Sequence, residues 1–176
     1  MSKPLVSIVC LCYNHKDYVV ESVISSLNQS YENIEVIVVD DYSTDGSQKK
    51  IAELKERFNQ LKVIFTEKNL GSTKAFNLGL KSAKGDYVID LATDDVLNKE
   101  RVTRGIATFE KYDDKYGVNF TNAINIDSNG NELNHHYAIT TNVTDIQPPP
   151  TGDLFVDLIQ RYFICAPTMM TKKIVF

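Results

Sequence analysis

Ile34-Glu-Val-Ile-Val-Val-Asp-Asp41 and Tyr87-Val-Ile-Asp-Leu-Ala-Thr-Asp-Asp95 decide the fold. Each is a run of β-branched and other apolar residues, as long as one buried strand, that ends in a pair of aspartates. In an open parallel sheet the ligand crevice lies outside the carboxyl ends of the strands. Asp40 with Asp41, and Asp94 with Asp95, are therefore expected to point into one crevice. Carboxylates so placed repel by about 4 kcal/mol per pair at roughly 4 Å and an effective dielectric near 20. The crevice calls for a cation or a donor-rich ligand, and for an anion only through a metal.

Working outward, the same strand texture appears at Leu5 to Tyr13 and at Leu61 to Thr66, with helical periodicity between the strands. Val20, Val23, Ile24 and Leu27 fall at i, i+3, i+4 and i+7, predicting a helix that ends near Gln29. Ser43-Thr-Asp-Gly-Ser47 has turn and helix-start chemistry, and Ile51, Leu54 and Phe58 mark the inner face of the next helix. A third helix is predicted over Ser72 to Ser82, followed by the turn Lys84-Gly-Asp86. The order β-α-β-α-β-α-β implies right-handed crossovers and an α/β fold with a mainly parallel sheet. A charged helix is expected from Lys99 to Tyr112, with Val102, Ile106 and Phe109 inside, then a strand from Val118 to Ala123. Ser128-Asn-Gly-Asn131 reads as a hairpin turn. Pro148-Pro-Pro150 breaks the chain, and Leu154, Phe155, Leu158, Ile159 and Tyr162 predict an amphipathic helix. There is no internal repeat.

The 176 residues are 43% hydrophobic and 24% charged, which fits one globular domain with a true core and excludes disordered or fibrous classes. A net charge of −4 with scattered Lys and Arg argues against nucleic acid as a partner. Cys10, Cys12 and Cys165 have neither the number nor the spacing of a disulfide framework or zinc knuckle, so buried reduced thiols are expected. No run approaches the roughly 18 apolar residues of a membrane span, and Met1-Ser-Lys-Pro4 is expected to lead straight into a strand rather than to read as a signal peptide. The setting expected is cytoplasmic, or at the inner face of the membrane.

A carboxylate at Asp41, within Asp41-Tyr-Ser-Thr-Asp-Gly46, can accept the imide N–H of uracil or thymine and would repel cytosine. Such a bond contributes about 1.5–3 kcal/mol. Asp94 and Asp95 are hard oxygen ligands suited to Mg²⁺ or Mn²⁺, which bind through one or two carboxylates plus substrate phosphates. Lys74, on the helix after Asn69-Leu-Gly71, is a candidate phosphate or ribose contact. His135 and His136 read as solvated loop residues, since neighbours on an extended segment point opposite ways. His15 reads as a helix-start residue. Neither GxGxxG nor GxxxxGK[ST] is present, so dinucleotide and P-loop readings fall away. A receiver-type signalling domain needs its acidic pair after the first strand, which here ends in Tyr13-Asn14. A non-catalytic nucleotide- or sugar-binding module remains the alternative to an enzyme.

Taken in order, Val6 to Asn14, Gln29-Ser-Tyr31, Val38-Val-Asp-Asp-Tyr-Ser-Thr-Asp-Gly46, Asn69-Leu-Gly71, Ala75-Phe-Asn77, Gly85-Asp-Tyr87 and Ala92-Thr-Asp-Asp95 resemble the family 2 glycosyltransferases. The resemblance implies the GT-A fold, a Rossmann-like three-layer α/β/α arrangement. It implies inverting, metal-dependent transfer of a sugar from a UDP-sugar or dTDP-sugar to a hydroxyl of a glycan or lipid-linked acceptor, in cell-surface or polysaccharide synthesis. Tyr13, Asn14, Asp41, Lys74 and Asp94 are expected to contact the donor; by the resemblance Asp41 holds the uracil, and Asp94 and Asp95 form the motif that contacts ribose and the diphosphate-bound Mn²⁺ or Mg²⁺. Ala92 stands where the commoner form has a further Asp, so weaker metal affinity is expected; Phe76 stands where many members have Arg. Residues 1–176 are expected to form one domain, its nucleotide-sugar part covering about 1–115. The family's catalytic base lies downstream of the segment resembling Phe163 to Met169. It is expected beyond Phe176, leaving these residues able to bind donor but not to transfer sugar.

Overall fold

The computed structural model describes residues 3–112, 115–136, 151–160 and 164–176. Four strands and four helices alternate at the start: β1 Val6–Cys12, α1 Val19–Leu27, β2 Ile34–Asp40, α2 Ser47–Arg57, β3 Lys62–Phe65, α3 Ser72–Ser82, β4 Tyr87–Ala92 and α4 Arg101–Lys111. β1 pairs in parallel with β2 on one side and β4 on the other, and β3 extends the sheet beyond β2. The chain thus adds two strands in one direction and then returns across β1. α1, α2 and α4 consequently pack on one face, with Ile8, Cys10, Val38, Ile89 and Leu91, and α3 packs on the other, with Val9, Ile37, Val39 and Val88. This is the expected three-layer arrangement.

Apolar residues on both faces make β1 almost wholly buried, as a central parallel strand requires. α1 is rotated from its expected face. Val19, Ser22, Val23 and Ser26 are buried, while Val20, Ile24 and Leu27 pack at the margin. Serine can occupy the inner stripe because Ser26 Oγ donates to the Ser22 carbonyl at 3.2 Å, which satisfies the hydroxyl inside the helix. The small side chains then bring α1 close enough for Ser26 Oγ to meet Cys10 Sγ at 3.5 Å. At the opposite end of the sheet from the aspartate pairs, Gly85 N donates to Ser7 Oγ at 2.8 Å, and Ser7 Oγ donates to Glu35 Oε1 at 2.6 Å. Lys62 Nζ completes that cluster on Glu35 Oε2 at 2.6 Å.

The second half departs from the sequence reading. The strand expected from Val118 to Ala123 is only β5, Val118–Asn119, because Ile124–Ile126 (β6) turns away to pair with Glu132–His135 (β7) in a separate hairpin. The turn at Ser128 to Asn131 joins these two strands as expected, and His135 and His136 are exposed. α4 starts two residues later than expected, after a turn in which Asn98 Oδ1 accepts Glu100 N. A short helix, α5 Phe155–Gln160, lies within the predicted amphipathic segment; Pro148 to Pro150, Tyr162 and Phe163 lie outside the described residues. Met170–Lys172 then forms β8, antiparallel to both β4 and β5, giving the order β3-β2-β1-β4-β8-β5.

Candidate functional site

The strand order reverses between β1 and β4, and a sheet of this kind opens its crevice at that point. The loop Tyr13 to His15 leaves β1 there, and Thr93 to Asp95 leave β4. The β2 exit, with Asp41, lies on the other side of β1. Tyr13, Asn14 and Asp94 are exposed, and Asp95 is partly buried.

The first aspartate pair divides. Successive residues of a strand face opposite sides, so Asp40 and Asp41 cannot both enter one crevice. Asp40 is fully buried on the α2 side, where its Oδ1 accepts Ser43 N at 3.0 Å and Gln48 Nε2 at 2.8 Å. It builds the turn and is withdrawn from the expected site. Asp41 turns toward the start of α3: Oδ1 accepts Leu70 N at 2.7 Å and Thr66 Oγ1 at 3.3 Å, and Oδ2 accepts Gly71 N at 2.8 Å. A carboxylate offers about four lone-pair sites, so Oδ2 keeps one for a further donor. Asp45 is committed as well, to Lys16 N at 2.8 Å and to Ser47 N and Oγ at 2.9 and 2.6 Å. Asn14 Oδ1 accepts Thr44 N at 2.9 Å, and Ser43 Oγ accepts Asn14 N at 2.8 Å. The loops leaving β1 and β2 are therefore locked together.

At the end of β4, Thr93 is buried and Asp94 and Asp95 follow it outward. Burial, and then the neighbouring Asp94 charge, push the Asp95 carboxyl above the usual range, partly offset by His15. His15 is the helix-start residue that the sequence predicts, with a side-chain role that the sequence does not show. Its carbonyl does start α1, accepting Tyr18 N and Val19 N. Its ring, however, crosses to the other loop, with Nδ1 3.0 Å from Thr93 Oγ1 and 3.6 Å from Asp94 Oδ1. Among the described residues no group of three or more His, Cys, Asp or Glu side chains closes around one point. Two carboxylates at an open crevice fit a Mg²⁺ or Mn²⁺ that completes its shell with phosphate and water, and do not fit an all-protein cage.

Cys165 is half-buried rather than buried, and its thiol is pushed up by burial and then by Asp95; the Ala166–Thr168 turn that follows it packs against β4. That segment is held by Arg101, at the start of α4. Arg101 is 6% exposed; its Nε and Nη2 both donate to the Thr168 carbonyl, at 3.1 and 2.7 Å, and Nη2 also donates to the Asn119 carbonyl at 3.1 Å. Burial without an acidic partner pushes the guanidinium down to about 10. No sequence pattern marks a pair 67 residues apart. Lys74 stands exposed on the first turn of α3, close in sequence to the Leu70 and Gly71 amides that hold Asp41.

Asp90 faces the α3 side of β4, two residues from Ala92. It accepts no hydrogen bond among the described residues, and burial raises its carboxyl to about 6. A raised native pKa means stability is greatest below the unfolded value near 3.9 and is lost as pH rises toward about 6. Asp90→Asn is expected to raise stability at pH 8 by about 2 kcal/mol and to leave it unchanged at pH 3.5. Urea melts at the two pH values check this; an equal effect at both would remove the titration from the account.

The sheet and its switch point define an α/β fold of the GT-A type. Residues 7–176 match glycosyl transferase family 2, and the chain belongs to that family. A Haemophilus influenzae protein described as an uncharacterized glycosyltransferase is 39% identical over 104 residues, 59% of this chain and 42% of that protein. The Bacillus subtilis putative teichuronic acid biosynthesis glycosyltransferase TuaG is 37% identical over 102 residues, 58% of this chain and 40% of its own length. Among solved structures, S. aureus TarS 1-349 in complex with UDP-GlcNAc superposes with a TM-score of 0.69 at 26% identity, covering 96% of this chain and 45% of TarS 1-349. The chain thus spans less than half the length of these relatives. The Pyrobaculum calidifontis mannosyltransferase PcManGT, solved with GDP-Man and Mn²⁺, shares the fold with a TM-score of 0.61 over 66% of this chain at 23% identity. No helix among the described residues is long and apolar enough to cross a membrane.

Proposed function

We propose that the crevice holds a UDP-sugar or dTDP-sugar, whose sugar passes with inversion to a hydroxyl of a cell-surface glycan or lipid-linked acceptor. The observation that carries this reading is the acidic pair Asp94 and Asp95, presented at the switch point with His15 across from it. The TarS complex with UDP-GlcNAc and the likeness to TuaG support the donor class and the glycan class. Asp94 and Asp95 would hold a Mn²⁺ or Mg²⁺ on the diphosphate, which when bound stabilises the charge developing on the departing UDP. Lys74 reaches the phosphate or ribose from the α3 side. Tyr13, Asn14 and Asp41 form the base end.

Asp41 is fixed by two backbone amides and a hydroxyl, so its remaining acceptor site cannot swing away from a ligand. The imide N–H of uracil or thymine can use that site, whereas cytosine presents a lone pair to it. UDP and dTDP are expected to bind about tenfold or more tightly than CDP. Asp41→Asn should narrow the gap, because an amide presents a donor as well as an acceptor. Competition binding with the three nucleotides checks this, and a preference for CDP in the unaltered chain would overturn the role given to Asp41.

A further inference from the structure

We propose that Tyr42 is a donor-binding residue, its ring held out of the fold to stack on the pyrimidine base of the donor; this rests on the reading of the crevice as a nucleotide site. Asn14 and Tyr42 are the two non-glycine residues with positive φ among the described residues, at 59° and 66°. Asparagine visits this left-handed region readily, whereas a bulky aromatic residue there is strained. Such strain persists only where the surroundings dictate it.

The surroundings dictate the backbone of residue 42. On one side Asp41 N donates to the Cys12 carbonyl at 2.8 Å, and the Asp41 carboxylate is tied to Leu70 and Gly71. On the other, Ser43 N donates to Asp40 Oδ1 at 3.0 Å, and Ser43 Oγ is bound by Asn14 N. Both neighbours are buried, and the chain must change direction between them within one residue. Glycine or asparagine would meet that demand with less strain.

Nothing in the fold explains the ring. Tyr42 is 48% exposed, and its hydroxyl and ring have no partner among the described residues. Its position does have a use. Cys12 and Asp40 are register partners at the ends of β1 and β2, so Tyr13 and Tyr42 follow adjacent strand ends, Tyr42 directly after Asp41. Tyr13 is 49% exposed. Two open aromatic residues beside one fixed carboxylate match a flat heterocycle that has a donor on its edge and a π-face on each side. Stacking of a base on an aromatic side chain is worth enough to change affinity by tenfold or more.

Calorimetry of UDP with Mn²⁺, together with thermal melts of the ligand-free protein, tests the assignment on Tyr42→Asn and Tyr42→Phe. Tyr42→Asn is expected to weaken UDP about tenfold while raising the melting temperature by about 2–4 °C, because the strain leaves with the ring. Tyr42→Phe keeps the ring and should keep the affinity within about twofold. Opposite signs in binding and stability separate a ligand contact from a structural role. Unchanged UDP affinity in Tyr42→Asn, or a lowered melting temperature, overturns the assignment and leaves the nucleotide site standing. Absence of UDP binding by the unaltered chain overturns both.

Discussion

Asp95→Ala is expected to reduce UDP affinity in the presence of Mn²⁺ by about 100-fold, to the level that the unaltered chain shows in EDTA. A hard divalent ion in an open site is held by one or two carboxylates and the phosphates, so deleting one carboxylate removes about half of the protein's share. Asp95 is the more buried of the pair, and a ligand already out of water loses less on meeting the ion. The same burial raises its carboxyl, so the ionised group is a net cost to the ligand-free fold at neutral pH. Asp95→Asn should therefore lose the metal-dependent binding while melting no lower than the unaltered protein. Calorimetry with and without EDTA, paired with melts, reads both. Equal UDP affinity with and without metal in the unaltered chain would remove the ion from the proposed site.

Gly85→Ala should cost about 3 kcal/mol or more, lowering the melting temperature by about 6–12 °C. A Cβ at Gly85 would meet Ser7 Oγ at 2.6 Å, Ser7 N at 2.7 Å and the Leu5 carbonyl oxygen at 2.8 Å. Two of these are backbone atoms at the edge of β1, the central strand, and neither can yield without moving the sheet. Gly130→Ala is the control: φ is 82° there, but nothing lies within 4 Å, so only the left-handed conformation is penalised, at about 1 kcal/mol. Denaturant melts of both variants would separate the steric from the conformational cost. Similar losses at the two sites would show that the Ser7 contact relaxes.

The first hundred residues were legible because their signals are local. Val36 to Val39 and Ile89 to Leu91 are buried strands by their own composition, and α3 lies where predicted, over Ser72 to Ser82. The site was legible to the level of strand ends and no finer. Which aspartate of the first pair enters the crevice depends on strand alternation, which adjacency in sequence does not carry, and Asp40 faces away from it. His15 was read correctly as to its backbone and missed as to its ring, since Thr93 lies 78 residues away. β8 and the Arg101 tie to Thr168 are long-range in the same sense. The strand expected at Val118 to Ala123 failed because a two-residue strand carries no periodicity; its partner, not its composition, makes it a strand.

The antiparallel pairing of β4 with β8 also bears on the order in which the molecule assembles. Tyr87 meets Lys172 on one side across 85 residues and Val6 on the other across 81, whereas β1 with β2 and β2 with β3 pair residues only 28 and 25 apart. Contacts that close short loops form first, and the entropy of closing a long one grows only as the logarithm of its length, about 0.6 kcal/mol per doubling. The three strands β1 to β3 can then form a folding nucleus, with β4 and β8 docking afterwards. Chain lengthened or shortened between β5 and β8 would hardly change that closure. The Asp41 side of the crevice is in this way assembled from neighbours in sequence, while the Asp94 and Asp95 side arrives with β4 and is braced by β8.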